Sequence, residues 1–513
     1  GEGQSLGMKV TGKKAEDGSM VPGSIRFQAT GDADITLFGE AASDATSIEA
    51  ENTAITNHGK ISDGSYKAKK ALHVYNAKGG TISGGTFTGA DTTLTNQADL
   101  SGAKVEGTKT LTVTNTASIQ NATLTGGATT VDNHGKGSIM KDVTLTGSAI
   151  TLTNKGTVEN GTYTAETGAM TITNSGKLSS GTYIAKAGTM GITNEGTIEN
   201  GNHTAGDAMT ITNSGKLSSG TYTAKAGMMG ITNEGTIENG TYTAKGDLTY
   251  TDSENASLSG SDFTSKEGNV TVTAKGQLAL KKLSAKKSAT VDADRDVTLT
   301  EAEAGTLAIS SGGSVNAGTL TATTGDAKVK AKTNVTIGTL TAETGGATIE
   351  ATDGALGVTT LNAKEHAALT SGGAMEVSEA TAGSVAAKAG TTLHVKKLTS
   401  TGEATLTSKD EATLDDVTAG TLAAESTAGS VKAGTLTAKT GEASVTAKTD
   451  VTIGTLKAEA GGAKIEATEG KLDVTTLNAK EHAELTSGGD MVLHEAEAGG
   501  KLTTSAGGSI SVK

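Results

Sequence analysis

The chain has 513 residues, a net charge of −13 and no cysteine, so nothing in it depends on disulfides or thiol chemistry. Its lysines and glutamates are interspersed, which argues against a nucleic-acid partner, and the absence of a long apolar run predicts no membrane span. With 34% hydrophobic and 2% aromatic residues, composition alone would permit disorder, but the regular spacing of the apolar residues indicates order.

Residues 1–46 lack the repeat that follows and contain the only proline, Pro22. We therefore expect an irregular N-terminal start or cap over residues 1–46. The chain begins with Gly1-Glu2-Gly3 and has neither the charged nor the apolar segment of a signal peptide. The expectation is that a signal peptide has been removed or that the sequence is an internal fragment.

Residues 47–265 repeat a short phrase made of an aliphatic residue, a second residue that is usually threonine, and asparagine. Successive asparagines are 18 to 21 residues apart, a period that suits one closed coil of short strands and is too short for a domain. The ten asparagines are Asn57, Asn76, Asn96, Asn115, Asn133, Asn154, Asn174, Asn194, Asn213 and Asn233.

Two further rows of residues keep the same period. The first lies mostly in Gly-Thr-Tyr-Thr-Ala phrases and comprises Tyr66, Phe87, Val105, Leu124, Leu145, Tyr163, Tyr183, His203, Tyr222, Tyr242 and Phe263. The second is aliphatic and comprises Ile61, Ile82, Leu100, Ile119, Ile139, Val158, Leu178, Ile198, Leu217, Ile237 and Leu258. Each coil thus contributes one residue to each of three rows.

Within each phrase, inward-facing and outward-facing residues alternate, which is the period of a β-strand. In the segment from Met170 to Asn174, Met170, Ile172 and Asn174 share one face. Three such strands per coil, each stacked on its counterpart in the next coil, predict an all-β fold, a parallel β-helix of about 23 coils. The crossover rule favours a right-handed helix, and a spacing of roughly 4.8 Å per coil gives a rod about 110 Å long.

The asparagine row has two interpretations. As a structural ladder, each side-chain amide would donate a hydrogen bond to the asparagine of a neighbouring coil; as an exposed row, it would contact a glycan. We favour the ladder because the asparagines share the inward face of the core isoleucines. The tyrosine row is interpreted in the same way, because Tyr, Phe, Leu and Val interchange in it.

Residues 266–513 keep the period without the asparagine. The core row continues as Leu283, Ala302, Leu320, Leu340, Leu361, Ala380, Leu398, Val417, Leu436, Leu456, Leu477 and Ala496. We therefore expect the β-helix to continue in register over residues 266–513. The segment 335–340 recurs at 451–456 and the segment 361–367 at 477–483, both displaced by 116 residues, which indicates duplication of a six-coil block.

Catalytic and metal-binding patterns are not found in the sequence. Glycan-cleaving enzymes use paired carboxylates, but the carboxylates here are scattered and no coil exceeds its neighbours by more than about two residues. Asp415-Asp416 is the only adjacent aspartate pair, which we interpret as solvated surface, and His366 and His482 are copies of one repeat position. The sequence therefore predicts no enzyme, no cofactor and no metal site.

The coils of about 20 residues, the Leu-Thr-Asn phrases at 94–96 and 152–154, and the richness in Thr, Ala and Gly resemble the filamentous haemagglutinin family. These proteins are large exoproteins of bacterial two-partner secretion. The resemblance covers residues 50–513, and nothing matches the Asn-Pro-Asn motifs of the family's secretion domain. It implies a secreted or surface-tethered rod without that domain, with a cell-surface receptor or glycan as its partner.

Two classes of function follow. In the first, the chain is the shaft of a bacterial adhesin, a rigid rod for display and cell adhesion. In the second, it is the subunit of an extracellular filament that assembles head to tail. A polysaccharide-acting β-helix enzyme is a remote third alternative.

Overall fold

The computed structural model describes residues 6–10, 13–14, 20–21, 26–41 and 46–512, and side chains within 26–40 and 46–512. These residues form strands and turns, with no helix among them. Parallel strands stack as a β-solenoid of about 25 turns, which confirms the predicted fold and is consistent with the right-handed β-helix. Pro22 lies outside the described residues, as do other parts of the predicted N-terminal segment 1–46.

The chain divides into two compact units, Gly1–Asp262 and Phe263–Lys513. In the first unit a turn has three faces, named A, B and C in chain order after the asparagine phrase. Face A strands are Leu6–Val10, Ala33–Leu37, Thr53–Asn57, Ala71–Asn76, Ala149–Asn154, Met170–Asn174, Met190–Asn194, Met209–Asn213, Met229–Asn233 and Leu248–Asp252. Three longer strands run from face C into face A: Thr86–Asn96, Lys104–Asn115 and Thr123–Asn133.

Faces B and C carry shorter strands. Face B strands are Glu40–Ala41, Lys60–Ile61, Thr81–Ser83, Asp99–Ser101, Ser118–Gln120, Ile139–Lys141, Thr157–Glu159, Lys177–Ser179, Thr197–Glu199, Lys216–Ser218 and Thr236–Glu238. Face C strands are Arg26–Gln28, Ser47–Ala50, Ser65–Ala68, Thr144–Gly147, Thr162–Ala165, Thr182–Ala185, Asn202–Ala205, Thr221–Ala224 and Thr241–Ala244. The strand Ser257–Ser265 contains the unit boundary, and Lys13–Lys14 and Met20–Val21 form an antiparallel pair.

Alternation of side chains builds the core of the first unit. In the strand Met170–Asn174 the inward residues are buried and the threonines between them are exposed. The strand pairs in parallel with Met190–Asn194 so that Met170 lies beside Met190 and Ile172 beside Ile192. Like residues therefore stack in columns, and β-branched threonine occupies the outer pleated surface that suits it.

Two of the three corners of a turn in the first unit have a distinctive backbone. At the corner between faces A and B, a Cβ atom on Gly176 would lie 2.1 Å from the carbonyl oxygen of Gly156 in the preceding turn, so only glycine fits. At the corner between faces B and C, Ser180 adopts a left-handed backbone with φ of 53°. The same conformation recurs at Asn121, Asp142, Asn160, Asn200, Ser219 and Asn239.

One position of the predicted aliphatic row is wrong. Met140 is fully buried and pairs with Ile119 and Val158, whereas Ile139 is 39% exposed. The corner from Asn133 to the buried residue of face B spans seven residues here and four in the next turn, from Asn154 to Val158. These three additional residues reverse the alternation, so that the methionine faces inward.

In the second unit each turn combines one long bent strand with one short straight strand. The bent strands are Val315–Ala322, Val335–Ala342, Leu356–Ala363, Met375–Ala382, Leu393–Ser400, Ala412–Ala419, Val431–Ala438, Val451–Ala458, Leu472–Ala479, Met491–Ala498 and, at the end, Ile510–Val512. The straight strands are Val270–Ala274, Ala327–Ala331, Ala347–Ala351, His366–Ser371, Ser384–Ala389, Glu403–Ser408, Thr421–Ser426, Ala443–Ala447, Ala463–Ala467, Ala483–Ser487 and Leu502–Ala506. Gln277–Ala293 and Val297–Ser311 run through a whole turn.

Because of the bend, the long strand of each turn lies on two faces and the short strand lies on the third. In Val335–Ala342 the buried residues are Val335, Ile337, Leu340 and Ala342, and the two residues between Ile337 and Leu340 both face outward. This double outward step turns the chain onto the next face. The copy at Val451–Ala458 has a nearly identical pattern of burial, in line with the 116-residue displacement of the two sequences.

The predicted core row of the second unit is buried from Leu283 to Leu477. Its last member, Ala496, pairs in register with Leu477 and is exposed. The strand Met491–Ala498 is covered by Ile510–Val512 over its first three residues only, and none of the described residues pairs with Ala496 on that side.

Candidate functional site

The ten asparagines of face A form a continuous internal ladder. All ten are completely buried. The Nδ2 of each of the first nine donates to the Oδ1 of the asparagine in the following turn, and these nine bonds are 2.7 to 2.9 Å long. Every bond points in the same direction along the chain.

The second amide hydrogen is also satisfied, at the corner between faces A and B. The Nδ2 of Asn174 lies 3.1 Å from the carbonyl oxygens of Gly176 in its own turn and Thr197 in the next. The ladder therefore ties the corner of each turn to the strand of the following one. Because a buried amide without partners would cost about 1–3 kcal/mol for each unmet group, the ladder stabilises only as a complete row.

Both ends of the ladder have defined partners. At the first end, Leu37 occupies the equivalent position, and the Oδ1 of Asn57 accepts from the backbone N–H of Gly59 at 3.1 Å. At the other end, Asn233 donates to the hydroxyl of Tyr250 at 3.1 Å, and that hydroxyl donates to a carboxylate oxygen of Asp252 at 3.1 Å. A carboxylate accepts only, so Asp252 ends the row.

Face C carries a second internal column, made of aromatic rings. Tyr163, Tyr183, His203, Tyr222 and Tyr242 stack with centroids 4.7 to 4.9 Å apart and planes within 9° of parallel. Burial raises the pKa of each of the four tyrosines. The column fills the interior and presents no aromatic face to solvent.

His203 is the one imidazole in this column and is completely buried. Burial lowers the pKa of His203 to about 3, and the backbone at Gly201 and Thr221 opposes that shift. Neither ring nitrogen makes a hydrogen bond of ordinary geometry. The ring is therefore neutral at neutral pH, and it packs as a substitute for tyrosine.

The polar residues considered for chemistry lie on the surface. Asp415 and Asp416 are both exposed at a bend, where Asp415 approaches the Nε2 of His394 to 3.5 Å. His366 and His482 are exposed and lie over Gly346 and Gly462, respectively. Within the described residues, no three His, Cys, Asp or Glu side chains are grouped so that they could hold a metal ion, and no helix there could cross a membrane.

The end of the ladder was not predicted from the sequence. The substitution of Asn by Asp at position 252 and the tyrosine two residues before it were visible in the repeat, but only the structure brings the Tyr250 hydroxyl between Asn233 and Asp252. The only available signal was that Tyr250 stands where the preceding turns have isoleucine.

The stacked turns and the internal columns define a β-solenoid repeat protein. The chain matches no family model, and comparison with curated proteins and with solved structures found no significant match.

Proposed function

We propose that this chain is the shaft of a secreted or cell-surface bacterial adhesin. The observation that carries the proposal is the uniformity of the stacking. From Met170 to Asn233 each turn repeats the register of the one before it without an inserted loop. The inward residues are used for packing and hydrogen bonding, which leaves stiffness and reach as the properties that such a repeat supplies.

The sequence resemblance to filamentous haemagglutinins supports the bacterial and extracellular part of the proposal. The absence of cysteine suits a chain that crosses membranes unfolded. The interior holds together by hydrogen bonds and aliphatic columns, which need neither an oxidising compartment nor a cofactor. A non-enzymatic role fits the scattered carboxylates described above.

Electron microscopy of the purified chain tests the shaft. Separate rods about 110 Å long are expected from the coil spacing, and antibodies against the chain should label intact, unpermeabilised cells of the source organism. Labelling that requires permeabilised cells would refute the proposed location. Compact particles in the micrographs would refute the rod.

The alternative is the subunit of an extracellular filament, in which copies of the chain stack end to end. Long unbranched fibres at micromolar concentration would support the filament, and isolated rods at every concentration would exclude it.

A further inference from the structure

Among the corners that follow the ten ladder asparagines, the corner after Asn133 is the longest, and the corner after Asn76 is also extended and closes through Ala77 and Gly80. The corner after Asn133 is three residues longer than the corner of the next turn and closes on itself through Gly135 and Ser138. The N–H of Ser138 donates to the carbonyl of Gly135 at 2.9 Å, and the Ser138 hydroxyl donates to the same carbonyl at 2.6 Å. Ser138 is completely buried, so the loop is anchored while Lys136 stays exposed between its two ends.

Beside this loop, the corners of the next three turns form a shelf. Gly156, Gly176 and Gly196 occupy equivalent corner positions, where the approach of the preceding turn leaves no room for a side chain. The loop forms one wall of a concavity of about 630 Å³ that extends across these glycines. This volume lies within the range of about 300–1,000 Å³ that is typical of ligand sites.

Basic side chains line the concavity, although the chain as a whole carries a charge of −13. His134, Lys136, Lys155 and Lys177 line it, and together they come from three successive turns. We refer to these four residues and the three corner glycines as the basic shelf.

None of the residues that line the concavity is acidic, but four acidic residues lie beside it. Asp132 contacts the Nδ1 of His134 at 3.1 Å, and Glu199 pairs with Lys177 at 2.7 Å. Glu159 also lies close enough to favour the charged form of Lys177. Within the described residues neither Lys136 nor Lys155 forms an ion pair, and the exposed Glu195 stands at the far end of the shelf beside Gly196.

We propose that the basic shelf binds an acidic saccharide chain, whose carboxylate groups contact Lys136 and Lys155. This inference deepens the proposed adhesive role by assigning it a surface and a class of ligand.

Hydroxyl groups favour a saccharide over a simple anion. Thr157, Ser175 and Thr197 alternate with the lysines along the shelf, so donors for sugar hydroxyls lie between the cationic groups. Lysine contacts an anion as a point charge, without the fixed fork of arginine, which suits carboxylates that are not held in one orientation. No tyrosine, phenylalanine or large aliphatic side chain lines the concavity.

Binding of oligogalacturonate to the purified full chain tests the proposal. Titration calorimetry at low ionic strength should show binding of oligogalacturonate and none of neutral dextran of equal length. The double variant K136Q/K155Q should weaken binding about tenfold or more, because the two unpaired charges face the ligand. The matched control K69Q/K225Q removes the same charge at two exposed lysines on corners between faces C and A, away from the shelf, and should change the affinity less than twofold.

Three results would overturn the inference. The first is unchanged affinity in K136Q/K155Q, with thermal unfolding showing that the variant is folded. The second is an equal loss in the control, which would mean attraction by overall charge. The third is equal or tighter binding of inorganic polyphosphate with the same dependence on the lysines, which would mean a general anion site.

The outcome for the shelf is separable from the outcome for the shaft. Lysine-dependent binding by the purified chain, together with labelling only of permeabilised cells, would retain the shelf and reject the proposed location. Surface-exposed rods that do not bind oligogalacturonate would retain the shaft and reject the shelf.

Discussion

Replacing His203 by tyrosine should make the first unit less sensitive to acid. Tyrosine occupies the equivalent position in the turn before and the turn after His203, at Tyr183 and Tyr222. Each of these tyrosines follows a Gly-x pair, as His203 does with Gly201. The larger ring should therefore continue the stack without moving the backbone.

The magnitude follows from the pKa of His203, which is about 3 in the folded chain and about 6.5 when the chain is unfolded. Between these two pKa values the unfolded state binds more protons than the folded state. The contribution of His203 to the free energy of unfolding is therefore present in full above pH 6.5 and is lost as the pH falls toward 3. One unit corresponds to about 1.4 kcal/mol, so the loss reaches about 2 kcal/mol between pH 7 and pH 5 and approaches about 5 kcal/mol near pH 3.

Urea unfolding at pH 7 and at pH 5 measures this effect, with hydrogen exchange of the amides in residues 201–224 as the local probe. Carboxylates contribute equally to both chains, so the difference between wild type and His203→Tyr isolates the imidazole. The control is His73→Tyr, which changes an exposed histidine and should retain the wild-type pH dependence. Equal pH dependence of wild type and His203→Tyr would refute the argument, as would a wild-type chain that loses nothing between the two pH values.

Three further substitutions test the ladder and the corners by chemical denaturation. Asn174→Ala leaves an unmet group on each side of the ladder and should cost about 2–4 kcal/mol; a loss no larger than that of the exposed control Thr173→Ala would contradict the ladder's role. Gly176→Ala places a Cβ atom 2.1 Å from a carbonyl oxygen and should lower the free energy of unfolding by about 1–3 kcal/mol or more. Its control is Gly191→Ala, where no atom lies within 4 Å of the added Cβ, and this change should be neutral or stabilising. Similar effects of the two substitutions would refute the steric argument. Ser180→Gly removes the Cβ atom from a left-handed residue with φ of 53° and should stabilise the chain by up to about 1 kcal/mol; destabilisation would show that the corner is unstrained.

The period of the sequence was sufficient to predict the fold. A residue type that recurs every 18 to 21 positions with strand alternation has few solutions other than stacked coils, because each coil must bury its own inward row. The same alternation placed the asparagines on the inward face, and all ten are buried. What the pattern could not supply was the phase after an irregular corner, which is why Ile139 was chosen where Met140 is buried.

Two features of the interior depended on contacts between turns that no single coil reveals. The lowered pKa of His203 follows from its burial between neighbouring turns, and the end of the ladder follows from the Tyr250 hydroxyl reaching Asp252. In the second unit, a single bent strand spans two faces because two successive residues, such as Gly338 and Thr339, both face outward. Such a step is hard to recognise in a sequence where glycine and threonine are common.

The uniform direction of the asparagine ladder bears on how the length of such a protein can change. Each amide donates to the turn that follows and accepts from the turn before, so any two turns of the ladder present matching surfaces to each other. Removing or inserting one whole coil of about 20 residues would leave every donor with an acceptor, whereas removing part of a coil would break the row. Asp252 would still end it. Recombination between repeats can therefore adjust length in whole-coil steps at little cost in stability, and the 116-residue duplication in the second unit is a change of that kind on a larger scale.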